Sequence, residues 1–122
     1  MSRRWKENEE KLHYLFISGE ENIREYPPVD PTLLSQSAQE FKKLMKEGSK
    51  VLDKLANSKE FDEKLMYAAQ ESNLKEVKRL IESIGVTADL DIQYDPDGLR
   101  LTFISQVQNM NCCKLTMALR WR

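Results

Sequence analysis

The tetrapeptide Asp95-Pro96-Asp97-Gly98 constrains this chain more than any other stretch. Asp at the first position, Pro at the second and Gly at the fourth mark a type I turn, with Gly98 free to take the positive φ of a bulge. The turn sets a register: Tyr94 falls opposite Leu99, Ile92 opposite Leu101 and Leu90 opposite Phe103. Period-two alternation puts all six side chains on one face. Asp89, Asp91 and Gln93 take the other face, with Arg100 and Thr102. A last strand over 112–122 repeats the pattern. Cys113, Leu115, Met117, Leu119 and Trp121 alternate there with Cys112, Lys114, Thr116, Ala118, Arg120 and Arg122. Residues 90–122 therefore read as a three-stranded antiparallel meander with one apolar face, which upstream helices must cover.

Those helices are legible. The segment 1–17 can form a helix with Trp5, Leu12, Leu15 and Phe16 near one stripe, and 18–29, with Gly19 and Pro27-Pro28, reads as a linker. Asp30 as N-cap and Pro31 at the first helical position open the longest helix. Along it Leu34, Phe41, Gly48 and Leu55 recur every seventh residue, with Ala38, Met45 and Leu52 as a second row. Both rows are expected to form the packing seam. Gly48 within the seam marks either a close approach or a bend. Asn57 with Glu60, and Asn73 with Glu76, read as capping boxes for two short helices, the second ending at Gly85. The expected architecture is α+β: a helix over 1–17, a linker over 18–29, and a body over 30–122 with its helices on one face of the meander.

The paired helices of 61–85, with Ala68-Ala69 in the first and Asn73-Leu74 followed by Glu76-Val77 opening the second, resemble one ankyrin unit. No second copy follows, and a lone unit cannot bury its own face, so the resemblance implies no ankyrin array. Tyr26-Pro27-Pro28-Val29-Asp30-Pro31, the Ala68-Ala69-Gln70 helix and Tyr94-Asp95-Pro96-Asp97-Gly98 together are similar to small uncharacterised proteins of Bacillus-type bacteria. Some of those are associated with sporulation. This resemblance implies a lineage and carries no catalytic residues.

Composition narrows the chemistry. In 122 residues, 32% charged, the formal net charge is -1, which argues against binding a polyanion by bulk electrostatics. No apolar run is long enough to span a membrane, and no signal-peptide core is visible at the start, so an intracellular, cytoplasmic setting is expected. Cys112 and Cys113 are neighbours in a strand, so their side chains should point to opposite faces, and both are read as thiols. They lack metal-ligand spacing, and His13 is the one histidine, so no metal or cofactor is expected. The four glycines are dispersed and build no phosphate loop.

What remains is surface. A sheet whose last strand lies at an edge invites a partner strand. The expectation is a non-enzymatic protein-interaction or structural assembly module, self-associating or joined to another protein, and spore-associated by the resemblance above. The candidate partner-binding residues are Arg100, Lys114, Arg120, Trp121 and Arg122. The alternative is a nucleic-acid-binding regulator that uses the same basic residues with Trp5 or Trp121 for stacking. An enzyme with a pocket between sheet and helices is a third reading.

Overall fold

A computed structural model describes residues 26–122. The helix expected over 1–17, with Trp5 and His13, lies outside the described residues, as does the linker up to residue 25. Residues 26–30 are exposed and carry no regular element. From Pro31 onward the chain forms one compact unit. Its elements are helices α1 (Thr32–Asn57), α2 (Lys59–Gln70) and α3 (Leu74–Glu82), then strands β1 (Asp89–Asp95), β2 (Gly98–Val107) and β3 (Met110–Arg120). The sheet order is β1-β2-β3. This is the expected α+β arrangement, three helices followed by a three-stranded antiparallel sheet.

The register is the one read from the turn: Leu90 pairs with Phe103, Ile92 with Leu101 and Tyr94 with Leu99. The reason for Gly98 is different. Gly85 is the described glycine with positive φ, at 99°, and Gly98 does not share that conformation. A Cβ on Gly98 would lie 2.5 Å from the Leu119 carbonyl oxygen, so close backbone approach and not a bulge excludes a side chain here. The Asp95 carboxylate closes the turn, with Oδ1 accepting from the amides of Asp97 (2.8 Å) and Gly98 (2.9 Å).

The core joins Leu44 and Val51 of α1, Phe61, Leu65, Ala68 and Ala69 of α2, Val77, Leu80 and Ile81 of α3, and Ile92, Leu99, Leu101 and Phe103 of the sheet. Helix α1 lies over β2 and β3. At Gly48 an added Cβ would sit 3.1 Å from Leu115 Cδ2 and 3.3 Å from Met117 Sδ. Gly48 therefore serves close approach to β3.

The seam of α1 differs from the expected one. Leu44, Glu47, Gly48 and Val51 are buried and Phe41 and Leu55 half-buried, whereas Leu34, Ala38, Met45 and Leu52 are exposed. Phe41, Gly48 and Leu55 of the first row thus belong to the covered side of the helix, whereas the second row of Ala38, Met45 and Leu52 lies outside it. The caps also shift. Ser58 Oγ, not Asn57, accepts from Phe61 N (3.2 Å) and opens α2, because Asn57 is spent on the Asp53 carbonyl. Asn73 Oδ1 does accept from Glu76 N. Pro31, in place of Asp30, is the N-cap of α1, its carbonyl accepting from Ser35 N (3.0 Å), and α3 ends at Glu82 with Ser83 as its C-cap, two residues before Gly85.

The cysteines are the larger correction. Cys112 and Cys113 form a disulfide. The register of β2 against β3 slips between Ser105 and Gln106, so that Ser105 pairs with Cys113 and Gln106 with Asn111. Cys112 is the extra residue of a β-bulge. A bulge breaks the alternation that should send adjacent side chains apart, and both cysteines pack at the core.

Glu47 is the buried charged residue among those described, at 8% exposure. Its Oε1 accepts from Thr87 N (3.1 Å) and from the Thr87 hydroxyl, tying α1 to the segment that enters β1. Lys50 Nζ stands 3.5 Å from Oε2 as an ion pair without hydrogen-bond geometry. Burial pushes this carboxyl up, but the Thr87 donors and the Lys50 charge together hold it below its ordinary 4.5. The ionised form is thus favoured by folding. Its contribution is complete above the ordinary value and is lost as pH falls through the lowered one.

Two outcomes are expected from thermal unfolding. Gly98→Ala destabilises by about 1–3 kcal/mol, since backbone must move to admit the methyl. Glu47→Gln costs about 1 kcal/mol at neutral pH, and its deficit against wild type narrows below about pH 4.5. A deficit that stays constant into acid would show that the Glu47 charge is immaterial.

Candidate functional site

The hairpin register determines which backbone groups of β3 are free. A two-residue turn makes Asp95 and Gly98 a hydrogen-bonded pair, so in β2 the groups of Gly98, Arg100 and Thr102 point to β1. Those of Leu99, Leu101 and Phe103 then point to β3, where they meet Leu119, Met117 and Leu115. On β3 the N–H and C=O groups of Lys114, Thr116, Ala118 and Arg120 consequently face outward. No strand among the described residues pairs with them. The edge is backed by an apolar overhang. Glu47 and Gly48 establish which side of α1 lies where: Glu47 meets Thr87 ahead of β1, and Gly48 meets β3. Continuing round the helix past Gly48 at 3.6 residues per turn brings up Leu34, Ala38, Met45 and Leu52, on the side that leans beyond β3. Leu34 is 75%, Met45 54% and Leu52 40% exposed. Leu115, Met117 and Leu119 of β3 are half-buried on the helix-covered face.

The five candidate residues divide between this edge and the turn. Lys114 and Arg120 project from the edge strand on the open face, opposite Ile104 and Gly98. Arg100 is paired with Ala118 and stands nearby. Arg100 and Arg120 line a shallow concavity of about 290 Å³ with Gln93, Asp95 and Asp97. Lys114 is not part of it, standing six residues along β3 from Arg120, about 20 Å away. Trp121 turns inward. Its Nε1 donates to the Asp95 carbonyl (3.1 Å), its amide to the Asp97 carbonyl (3.1 Å), and its ring centroid is 6.3 Å from that of Tyr94. Arg122 Nε is 3.6 Å from Asp97 Oδ1, an exposed pair that adds little stability. Asp91 lies diagonal to Arg100 in the register, but the described ion pairs do not join them.

Elsewhere the chemistry is sparse. Among the described residues no group of three His, Cys, Asp or Glu could hold a metal ion. No described helix is long and apolar enough to cross a membrane. Between α1, α2 and the end of β3 runs an apolar groove of about 410 Å³ lined by Leu52, Leu65, Met66 and Trp121. Asp62 borders it with one buried, unpartnered carboxylate oxygen, and burial raises this acid above its ordinary value.

Sequence reasoning missed the overhang because heptad spacing does not distinguish the centre of a buried stripe from its margin. Its signal was the width of the apolar sector. Rows at Leu34, Phe41, Leu44 and Val51 span more of the helix than one small sheet can cover. If Trp121 braces the turn, Trp121→Phe, which keeps the ring but loses the indole N–H, should cost about 0.5–1.5 kcal/mol in denaturant unfolding. No loss of stability would show that the Asp95 contact contributes nothing.

No solved structure matches the chain. It is 29% identical over 86 residues to an uncharacterised protein, YuzC, of Bacillus subtilis (strain 168), a match covering 70% of this chain and 66% of that protein, just under two thirds of its length. The model of a family described as YuzC spore coat inner layer protein matches residues 31–114, from the first residue of the compact unit to Lys114 on the open edge. By that match, the chain belongs to the YuzC spore coat inner layer protein family.

Proposed function

We propose that this protein is a non-enzymatic assembly component of the spore coat, joined to its neighbours by a strand added at the free edge of β3. The family description supports a setting in the inner layer of the spore coat in place of the plain cytoplasm. The observation that carries the mode of assembly is the outward row of backbone groups from Lys114 to Arg120, flanked by an exposed apolar stripe of α1. A bare strand edge takes up another strand through main-chain hydrogen bonds, and alternate side chains then select the partner. Lys114, Arg120 and Arg100 select by charge on the open face, while Met45 and Leu52 receive apolar side chains on the other.

Ala118→Pro tests this reading. Proline there removes one outward N–H and no bond of the β2–β3 ladder, so the fold survives. In sporulating cells, a fluorescent fusion of the wild-type protein should be retained in the coat and the Ala118→Pro fusion should be released. Equal retention of a folded Ala118→Pro protein would rule out the β3 edge as the joint.

A further inference from the structure

Among the described residues the two outer strands of the sheet have unpaired edges, and these are of opposite charge. Strand β1 bears Asp89, Asp91 and Asp95 on the open face, and β3 bears Lys114 and Arg120 on the same face. Setting β3 against its own copy would oppose cations to cations, and β1 against β1 would oppose acids to acids, both destabilising. The complementary joint is β3 of one copy with β1 of the next. We propose that the partner of the β3 edge is β1 of a second copy of this chain, in parallel, so that copies add head to tail into a continuous sheet. The proposal rests on the assembly reading above and names its partner.

The geometry supports this at three levels. Both strands run antiparallel to β2, hence parallel to each other, and displacing a copy sideways along the sheet lays its β1 beside β3. The ionic spacing then matches. Asp89 and Asp95 are six residues apart, as are Lys114 and Arg120, so both acid–base pairs form in one register. That register puts Leu90 beside Leu115, Ile92 beside Met117 and Tyr94 beside Leu119, beneath the overhang of Ala38, Met45 and Leu52. The backbone agrees as well. On β1 the groups of Leu90, Ile92 and Tyr94 face outward, because Asp89, Asp91 and Gln93 bond to β2. In a parallel ladder Ile92 bonds to the residues on either side of its neighbour Met117, and these are Thr116 and Ala118, which face outward on β3. A joint of this kind is heterologous, so it builds a series of copies that runs beyond the dimer, open unless the rotation between copies closes a ring.

The test uses purified full-length protein in sedimentation velocity across a concentration series. Wild type should show a weight-average mass that climbs without a plateau at the dimer, and the climb should weaken with salt. Asp89→Lys and Lys114→Glu should each weaken association by about tenfold, from a lost pair and a new repulsion. The two variants mixed should regain much of it, because each supplies the charge the other's edge then needs. Circular dichroism on both variants separates weakened association from misfolding, and the double variant D89K/K114E, which should again associate with itself, provides a second reading. A plateau at the dimer, or no recovery on mixing, would overturn the head-to-tail joint. A wild type that stays monomeric would also overturn it. If Ala118→Pro is nonetheless lost from the coat, the β3 edge takes another protein's strand and the assembly reading stands alone.

Discussion

The closing of the Asp95–Gly98 turn is the contact on which the sheet depends. One carboxylate oxygen satisfies two amides, and the missing side chain of Gly98 lets the third strand's backbone approach the turn at Leu119. Trp121 then donates from indole and amide to the carbonyls of Asp95 and Asp97. Three strands are thereby pinned at one end by a few solvent-exposed polar contacts, each of modest net worth, that act together. Because the pleat has a period of two, fixing that end fixes every side chain of the meander to its face. The covering helices, the core beneath them and the choice of free backbone groups on the outer strands all follow from it.

Helix α1 is tied to this sheet by two different devices. Near β3 it is close packing, with Gly48 admitting Leu115 and Met117. Towards β1 it is a buried carboxylate, Glu47, held by Thr87. Dispersion contacts depend on fit alone, whereas a buried charge depends also on its proton. The two sides of the helix are thus held by forces of unlike sensitivity, and the side tied to Thr87, ahead of β1, is the one sensitive to acid.

The register of β1 against β2 was legible to the residue, because turn chemistry and alternation agree there. The two short helices were legible through their apolar periodicity, though Ser58 competed with Asn57 for the cap. What escaped was whatever depends on three-dimensional neighbours. Heptad spacing at Leu34, Met45 and Leu52 says that a face exists, not that a three-stranded sheet is too narrow to cover it. The strand pattern around Cys112 and Cys113 assumed strict alternation, and a bulge suspends it. Of the site, the charged residues of β3 were visible as letters. Trp121 was placed among them, but its turn-bracing role came from contacts between residues far apart in sequence.

The bulge at Cys112 has a consequence for length. A strand edge is usable only where it keeps a constant pleat, and an extra residue ends that constancy by kinking the strand. Of the eleven residues of β3, the eight from Cys113 to Arg120 lie beyond the kink in uninterrupted register with β2. That run is one residue longer than the seven of β1. The irregularity that joins two cysteines therefore also works as a ruler, trimming one margin of the sheet to within a residue of the other.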